Sequence, residues 1–312
     1  MEVIKEVVSV SIGSSSRDHA VELELLGEKF RIRREGYDGD LAAAAARFAE
    51  LDGTVDAFGM GGIDIYLRAD GRKYFFRDAK KLVAGVHKTP ILDGSGLKGP
   101  VEGSTVDYLI KECGLELAGK KVLTCSAVDR WGMTEALQNA GCEQVFGDLI
   151  YALDIPLLLK RWSTLRAFVR LVTPLASQLP FSVLYPTGTS QDLAPKSNPR
   201  MEALYGWADI IAGDWQFVKK FMPADMTGKW IITNTTTADD VALARSRGVE
   251  LFVTSTPRLD GRTFGTNVIE ATMVALDGAS GELAPERYRE LLDSVGFKPD
   301  VRWLQRESTP LA

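Results

Sequence analysis

Residues 120–148 read KKVLTCSAVDRWGMTEALQNAGCEQVFGD, and this stretch decides the fold of the second half of the chain. Residues 122–125 are mostly apolar and predict a buried strand, and residues 132–140 predict a helix that ends at a glycine. Residues 143–146 predict the next strand, which ends at Gly147 and Asp148. This is the layout of a dinucleotide-binding βαβ unit, which places a strand, a turn, a helix and a second strand ending in an acid within about 30 residues.

The turn at residues 126–132 stands where dinucleotide-binding proteins carry the pattern G-x-G-x-x-G, of which it keeps only the last glycine. Backbone N–H groups at the start of the following helix can still bind a pyrophosphate. Asp129 would place a carboxylate near those phosphates unless Arg130 screens it. The candidate cofactor contacts in this turn are Ser126, Asp129, Arg130 and Gly132. The alternative is a purely structural turn.

Asp148 closes the second strand of this unit, the position at which an acid accepts the ribose hydroxyls of NAD. A carboxylate there would repel the 2′-phosphate of NADP, so the sequence favours NAD over NADP. The alternative is that Asp148 caps a helix or is solvated.

The alternation of strands and helices resumes after residue 206. Strands are predicted at 208–214, 229–234 and 251–254, and helices at 241–247 and 268–276. Uncharged donors and acceptors cluster at strand ends or at a helix start, and we expect these clusters to converge at one sheet edge. They would suit a polyhydroxylated ligand or a nicotinamide amide. The residues concerned are Thr233, Asn234, Thr254, Thr256 and Asn267. Such clusters also cap helices and form turns.

The first half predicts a mixed α/β domain over residues 1–115. Asp40 can cap an alanine-rich helix at 41–51, and a strand pair flanks the turn at 69–71. The whole chain is therefore expected to be α/β, with this N-terminal substrate domain followed by a Rossmann-like, doubly wound parallel-sheet domain over 116–280. Residues 281–312 are expected to form a C-terminal extension.

Residues 150–206 do not follow the α/β rhythm and are expected to form a helical insertion. Residues 157–179 mix leucines with basic residues and predict one or two amphipathic helices. The stretch is too charged to span a bilayer, so we expect a lid or, more simply, the interface of a homo-oligomer.

Composition limits the classes of partner. The net charge is -5 and the 37 basic residues are spread along the chain, which argues against nucleic-acid binding. The N-terminal residues show no export signal, so a cytoplasmic location is the expectation. The three cysteines read as buried thiols, and with two histidines no histidine-rich metal site is expected. A small-molecule substrate is the partner that remains.

Acid or base chemistry must rely on a short list of side chains. Asp93 lies in Asp-Gly-Ser-Gly at a predicted strand end, and a lysine near it is able to pass a proton to or from an alcohol. His19 is the one histidine with a neighbouring aspartate. The catalytic candidates are Asp93, Lys98, Lys81 and His19, with Asp78 in reserve. For either lysine alone, a solvated helix face is the ordinary alternative.

Five segments, at residues 12–19, 58–64, 93–96, 126–133 and 264–271, resemble bacterial proteins designated quinate 5-dehydrogenase. Those proteins are in turn distantly similar to the shikimate/quinate dehydrogenases, which are NAD(P)-linked alcohol oxidoreductases with a substrate domain and a Rossmann domain. The resemblance covers nearly the whole chain and implies the same two-domain organisation. Because the Asn-x-Thr-x-Pro-x-Lys motif of that family is not found, the resemblance assigns no catalytic lysine or aspartate here.

Three functions follow as hypotheses. The first is an NAD-linked oxidoreductase acting on a small hydroxylated, quinate-like substrate in an interdomain cleft. The second is a non-redox enzyme or binding protein whose Rossmann-like half holds another nucleotide or a sugar phosphate. The third is an interaction protein assembled through residues 157–179, with no small ligand.

Overall fold

The computed structural model describes residues 4–179, 198–256, 258–259, 262–263 and 265–305. The chain divides into two compact units, each built from several stretches. Unit 1 takes its described residues from Met1–Pro100, Arg170–Asp192 and Gly265–Phe297, and unit 2 from Val101–Val169, Leu193–Phe264 and Lys298–Ala312. Among the described residues, no helix combines the length and the apolar character needed to cross a membrane.

The first ten helices and strands run from the start of the described chain to the helix in which the chain first passes from unit 1 into unit 2. They are β1 (Ile4–Ser11), β2 (His19–Leu25), β3 (Glu28–Gly36), α1 (Leu41–Leu51), β4 (Ala57–Gly61), β5 (Tyr66–Ala69), β6 (Arg72–Phe75), α2 (Arg77–Leu82), β7 (Ile91–Leu92) and α3 (Ser95–Lys111). A short 3-10 turn at Ser15–Arg17 follows β1.

The remaining elements follow in chain order. They are β8 (Lys121–Thr124), α4 (Trp131–Asn139), β9 (Glu143–Phe146), α5 (Asp148–Leu153), α6 (Trp162–Ala176), α7 (Pro199–Trp207), β10 (Ile210–Ala212), α8 (Trp215–Lys220), β11 (Trp230–Thr233), α9 (Ala238–Ser246), β12 (Leu251–Thr254), β13 (Arg258–Leu259), β14 (Arg262–Thr263), α10 (Thr266–Asp277), α11 (Pro285–Ser294) and β15 (Asp300–Trp303).

The sheet of unit 1 has the strand order β2-β3-β1-β4-β7. β1 pairs in parallel with β3 on one side and with β4 on the other, β7 continues the parallel part, and β2 is an antiparallel edge. The chain leaves β1 towards one edge of the sheet and leaves β4 towards the other. The strand order therefore reverses between β1 and β4, which makes a crevice at their carboxyl ends.

The sheet of unit 2 has the order β15-β12-β11-β10-β8-β9, with all neighbours parallel except the edge strand β15. β10 and β12 are buried along their whole length, as expected of parallel strands covered on both faces. The strand order reverses between β8 and β10, so the loops after these two strands border the crevice in which doubly wound sheets bind ligands. The predicted α/β class, with a Rossmann-like parallel sheet in the second half, is confirmed.

Many elements fall where local sequence signals predict them. α1 occupies residues 41–51 as predicted, and the Asp40 side chain accepts hydrogen bonds from the N–H groups of Ala42 and Ala43. α9 begins at a reciprocal capping pair of Thr237 and Asp240. Residues 157–179 contain one described helix, α6, and part of the predicted insertion, residues 180–197, lies outside the described residues.

Three expectations need correction. From local sequence alone a helix is expected only over residues 104–113, but α3 begins at Ser95. Burial of Leu97 and Val101 overrides the low helix propensity of a stretch rich in glycine with a proline at position 100. The helix predicted over 268–276 is α10, which groups with unit 1 and not with the Rossmann-like half. Residues 281–312 are more than an extension, since α11 belongs to unit 1 and β15 completes the sheet of unit 2.

The crevice of unit 1 depends on a glycine at position 62. Gly62 has φ +81°, and a Cβ there would lie 2.7 Å from Cγ1 of Ile12 and 3.1 Å from N of Gly13. Gly27 has nearly the same φ, +83°, but a Cβ there would meet nothing within 4 Å. Gly27→Ala should lower the free energy of unfolding by about 1–2 kcal/mol through backbone strain alone. Gly62→Ala should lower the free energy of unfolding by about 1–3 kcal/mol more than Gly27→Ala, because the added methyl group would overpack the contact with Ile12, and urea unfolding measures both losses. Equal losses in the two variants would contradict the close approach of Gly62 to Ile12.

Candidate functional site

The crevice of unit 2 is bordered by two loops in direct contact. The N–H of Asp214, after β10, donates to Oγ of Ser126, after β8, over 2.9 Å. Gly213 has φ +137°, and a Cβ there would lie 3.0 Å from the same Oγ. The hydroxyl of Ser126 therefore joins the loops after β8 and β10, and its contact with a cofactor stays a prediction.

A buried arginine sits at the centre of this edge. Nη1 of Arg130 lies 3.1 Å from Oε1 of Glu102 on α3, and its Nη2 lies 2.7 Å from Oδ2 of Asp214. Nε lies 3.1 Å from Oδ2 of Asp129. Arg130, Asp129 and Glu102 have side chains no more than 6% exposed, so the predicted pairing of Arg130 with Asp129 is part of a larger buried network.

Charge pairing governs the ionisation of this network. Burial alone would lower the pKa of the Arg130 guanidinium, but the attraction of Asp129, Asp214 and Glu102 raises it well above its ordinary value. One cation therefore faces three carboxylates, so acidic groups outnumber basic ones in this network. Glu102 also accepts, through Oε2, the N–H of Met133 in the first turn of α4, which contains Gly132.

Asp148 lies at the other side of the same turn. Its Oδ1 accepts the N–H of Val128 over 2.8 Å. Its Oδ2 is buried and has no hydrogen-bond partner among the described residues. The pKa of Asp148 is raised to about 7, mainly by burial and also by the nearby charge of Asp129, against backbone N–H groups that lower it. Asp148 is therefore near its point of half-ionisation at neutral pH.

The uncharged clusters after β11 and β12 extend this edge. Nδ2 of Asn234 donates to Oδ2 of Asp214 over 2.7 Å, and Oγ1 of Thr233 donates to the carbonyl of Gly213 over 2.8 Å. The hydroxyls of Thr235 and Thr256 lie 3.4 Å apart. Oγ1 of Thr254 donates to the carbonyl oxygen of Thr256 over 3.2 Å. The clusters at 233–234 and 254–256 are thus brought together as predicted.

Asn267 is placed elsewhere, so the expected convergence of three clusters at one sheet edge is wrong. It belongs to unit 1, where its Nδ2 donates to Oγ of Ser9 on β1 over 2.9 Å. A Cβ at Gly59 would lie 3.0 Å from that Nδ2. The absence of a side chain at Gly59 on β4 therefore allows the start of α10 to pack closely on the sheet of unit 1.

The catalytic candidates of unit 1 have distinct surroundings. The carboxylate of Asp93 is buried and accepts from the N–H groups of Ile65 and Tyr66 and from both N–H and Oγ of Ser95. It therefore holds the loop after β4 against the first residue of α3. Nζ of Lys98 lies 2.6 Å from Oδ2 of Asp64, in a largely buried ion pair.

Two further candidates lie apart from that ion pair. Lys81 is exposed on α2, and Asp78 lies in the first turn of the same helix. His19 begins β2, where its Nδ1 lies 3.0 Å from the carbonyl oxygen of Arg17. The surroundings of Lys81, Asp78 and His19 assign no chemical role to them, so their catalytic roles stay predictions.

Glu270 on α10 was missed by sequence reasoning. It is 1% exposed; its Oε1 accepts the hydroxyl of Tyr288 over 2.7 Å, and its Oε2 has no hydrogen-bond partner among the described residues. Burial, together with the charge of Asp93, raises the pKa of Glu270 to about 8. A single acid within the otherwise apolar stretch 268–276 was the available signal.

The chain belongs to the family described as "Domain of unknown function (DUF8754)", whose family model matches residues 96–304. Residues 6–93 match a second family model, "Domain of unknown function (DUF8753)". The boundary between the two matches falls at the start of α3. No curated protein matches the chain.

Several solved structures are similar to the chain. A glucose-galactose binding protein, GanP from Geobacillus stearothermophilus, has 9% identity and a TM-score of 0.37, over 97% of this chain and 98% of that one. L-tryptophan dehydrogenase from Nostoc punctiforme has 10% identity and a TM-score of 0.33, over 94% and 79%. A glutamate dehydrogenase has 13% identity and a TM-score of 0.43, over 86% and 64%. Likenesses this low carry no argument about ligand or activity.

Replacing the buried arginine tests the network. Arg130→Met should lower the free energy of unfolding by about 3–5 kcal/mol at pH 8, because the buried carboxylates of Glu102 and Asp129 and the partly buried carboxylate of Asp214 lose their cation. The loss should shrink at pH 5, where unpaired buried carboxylates take up protons more easily. Urea unfolding at the two pH values measures this. Arg287→Met removes an exposed arginine with two carboxylate partners and should cost less than about 1 kcal/mol; an equally small loss for Arg130→Met would contradict the network.

The raised pKa of Glu270 has a consequence for stability. The pKa of Glu270 in the folded state, about 8, exceeds its ordinary value of 4.5. The protonated carboxyl group therefore contributes fully to the free energy of unfolding below about pH 4.5, and this contribution is lost as pH rises through 8. The wild type should lose up to about 1.4 kcal/mol per pH unit in that window relative to Glu270→Gln. Urea unfolding between pH 5 and pH 8 measures the difference. Glu286→Gln, an exposed acid on α11, is the control, and parallel pH profiles for wild type and Glu270→Gln would refute the assignment.

Proposed function

We propose that the chain is an NAD-linked oxidoreductase that acts on a small hydroxylated substrate. The observation that carries this proposal is Asp148. It is the first residue of α5, two positions after β9 ends, and lies beside the crevice of unit 2. One of its oxygens accepts a hydrogen bond from the turn after β8, and the other is buried without a partner among the described residues.

The orphaned oxygen of Asp148 suits the ribose of a nicotinamide dinucleotide. Ribose hydroxyls are hydrogen-bond donors, and a carboxylate at the end of the second strand is their usual acceptor. A 2′-phosphate would meet the same carboxylate and be repelled, which favours NAD over NADP. The hydroxyl and amide groups of Ser126, Asn234 and Thr256 supply further partners for a polar ligand at this edge.

The bound dinucleotide would supply a hydride acceptor, and the residues of the chain would bind it and handle the proton. Lys98 holds a proton on Nζ, paired with Asp64, and Asp93 fixes the loop that carries Asp64. An ammonium in such a pair is able to donate a proton to, or share one with, a reacting oxygen. Quinate, shikimate and related hydroxy acids are the substrates that the sequence resemblance suggests.

A specific observation supports a second candidate, a non-redox enzyme or binding protein with another nucleotide or a sugar phosphate as ligand. The N–H groups of Val128 and Met133, in the turn that would receive a pyrophosphate, already bond to Asp148 and Glu102. Excess negative charge around Arg130 also opposes two phosphates. A sugar phosphate or nucleotide that is held through its hydroxyl groups, with its phosphate directed away from this turn, would meet neither obstacle.

A thermal-shift screen separates the two candidates. A ligand at about 100 times its dissociation constant adds about 2.7 kcal/mol to stability. NAD, NADP, ATP and S-adenosylmethionine form the panel. Stabilisation by NAD alone supports the oxidoreductase, and turnover with quinate or shikimate follows by nicotinamide absorbance. Stabilisation by ATP or S-adenosylmethionine without any response to NAD or NADP would replace it with the second candidate.

The proposed homo-oligomer rests on the exposed face of α6. Leu171 and Leu175 lie one helical turn apart and are 74% and 75% exposed, and Leu179 follows at 44%. Such a row of leucines on one helix face is typical of an interface. We include a self-association through α6 in the proposal.

Asp148→Asn tests the ribose contact. Ribose donors favour the ionised carboxylate, and with a pKa of about 7 that form rises from about one tenth at pH 6 to about nine tenths at pH 8. Wild-type affinity for NAD should therefore improve about tenfold between these pH values, as calorimetric titration measures. Asp148→Asn should bind NAD weakly at both, with NADP affinity equal or improved.

Asp154→Asn is the matched control, because Asp154 ends α5 and is exposed. It should keep the wild-type pH dependence. Unchanged affinity of Asp148→Asn for both cofactors would show that Asp148 does not contact the ribose.

The double substitution Leu171→Glu with Leu175→Glu tests the α6 interface. Two like charges on each copy should disfavour self-association and lower the mass measured by size-exclusion chromatography with light scattering. Lys160→Glu, in the exposed segment before α6, serves as the control for added negative charge. A wild-type mass for the double variant, with lowered stability, would mean that the leucines pack within one chain.

A further inference from the structure

Unit 1 has a crevice of its own, where its strand order reverses between β1 and β4. The loops after these strands are in close contact. The N–H of Ile12 donates to the carbonyl of Gly61 over 3.0 Å. A Cβ at Gly61 would lie 2.8 Å from Oγ of Ser11. Ligands of open α/β sheets bind outside the carboxyl ends of the strands at such a reversal.

Two arginine side chains converge at the mouth of this crevice. A Cβ built on Gly13, two residues beyond the end of β1, would lie 2.7 Å from Nη2 of Arg17 and 3.2 Å from Nη2 of Arg34. Two guanidinium groups therefore approach one point from different elements, since Arg17 ends the 3-10 turn and Arg34 lies on β3. Like charges repel, so this convergence needs support from the surrounding structure.

Arg34 receives that support from fixed partners. Its Nη1 donates to the carbonyl of Ser14 over 2.9 Å and pairs with Asp18 at 2.6 Å. Its Nη2 donates to Oγ of Ser11 over 3.0 Å, and the side chain is only 14% exposed. Burial lowers the pKa of Arg34, and the positive charge of Arg17 lowers it further. A pre-positioned guanidinium loses little freedom when an anion binds.

Two acids lie near this loop, and each has donors of its own. Asp18 pairs with Nη1 of Arg34, whereas it is Nη2 of the same guanidinium that approaches Gly13. Asp38 accepts hydrogen bonds from both N–H and Oγ of Ser15. The hydroxyls of Ser14 and Ser16 lie 2.7 Å apart at the rim. Guanidinium forks and hydroxyl donors at the carboxyl end of a parallel strand are the groups that bind carboxylate and phosphate.

We propose that this crevice of unit 1 is a binding site for the oxyanion group of a small ligand, a carboxylate or a phosphate, held by Arg17 and Arg34 beside Gly13. The site is separate from the residues argued to bind the dinucleotide, and it stands whether or not the chain is an oxidoreductase.

Titrations with simple anions test the site without any nucleotide. Inorganic phosphate and quinate are titrated separately into the full chain at constant ionic strength, with chloride as the balancing anion, and followed by calorimetry. Saturable binding in the low millimolar range or tighter is expected, because two guanidinium groups can each donate charge-assisted hydrogen bonds to one anion, and Arg34 is already held in place. Tighter binding of quinate identifies carboxylate as the ligand group, and tighter binding of phosphate identifies a phosphate ester.

Three variants assign the binding to the arginine pair. Arg17→Gln removes an exposed guanidinium and should weaken binding about tenfold or more. Gly13→Ala keeps every charge but places a methyl group where the guanidinium groups converge, and it should weaken binding similarly. Arg31→Gln is the matched control, since Arg31 lies on the same strand as Arg34 and pairs with Glu22 and Glu6.

Two results would overturn the proposal. One is that the wild type shows no saturable binding of phosphate or quinate at anion concentrations up to about ten times the expected millimolar dissociation constant. The other is an equal loss in Arg17→Gln and Arg31→Gln, which would reveal a general charge effect. Neither result depends on a nicotinamide cofactor, so failure of the oxidoreductase proposal is detected separately by the thermal-shift screen.

Discussion

The pairing of one buried guanidinium with three carboxylates determines how the crevice of unit 2 is built. Arg130 connects Glu102 on α3 with Asp129 in the turn after β8 and Asp214 in the loop after β10. Removing a charge from water is costly unless partners replace the lost hydration, so these segments are stable only when they stay together. In many dinucleotide-binding domains, glycines allow the corresponding turn to approach its ligand closely. Here ion pairs hold the turn in place.

This arrangement has an electrostatic consequence for both units. The edge of unit 2 carries more carboxylates than cations, and Asp148 adds an oxygen that lacks a partner among the described residues. The crevice of unit 1 has the opposite character, with Arg17 and Arg34 close together at the end of β1. Since both crevices arise from the same reversal of strand order, the side chains and not the topology set which ligand groups each one accepts.

How much of this was predictable depends on the range of the interactions. Asp40 and Thr237 act through neighbouring backbone N–H groups, so the helices that they cap were found from local sequence. The start of α3 was missed, because burial of Leu97 and the bonds of Asp93 to Ser95 outweigh local propensity there. The partners of Arg130 lie between 1 and 84 positions away in sequence, and only its neighbour Asp129 was foreseeable.

The same reasoning explains why the two sets of site residues differ in how well sequence found them. Asp148 was chosen as a candidate because its position after β9 has a known meaning in a βαβ unit, whereas Arg34 lies near the end of β3, in a charged stretch whose sequence suggests a solvated strand. Its role emerges only when β3 pairs beside β1 and brings the guanidinium to Ser11 and Ser14. One unit therefore offers a buried carboxylate oxygen without a partner among the described residues, and the other offers a pair of guanidinium groups, so the two crevices favour ligand groups of opposite character.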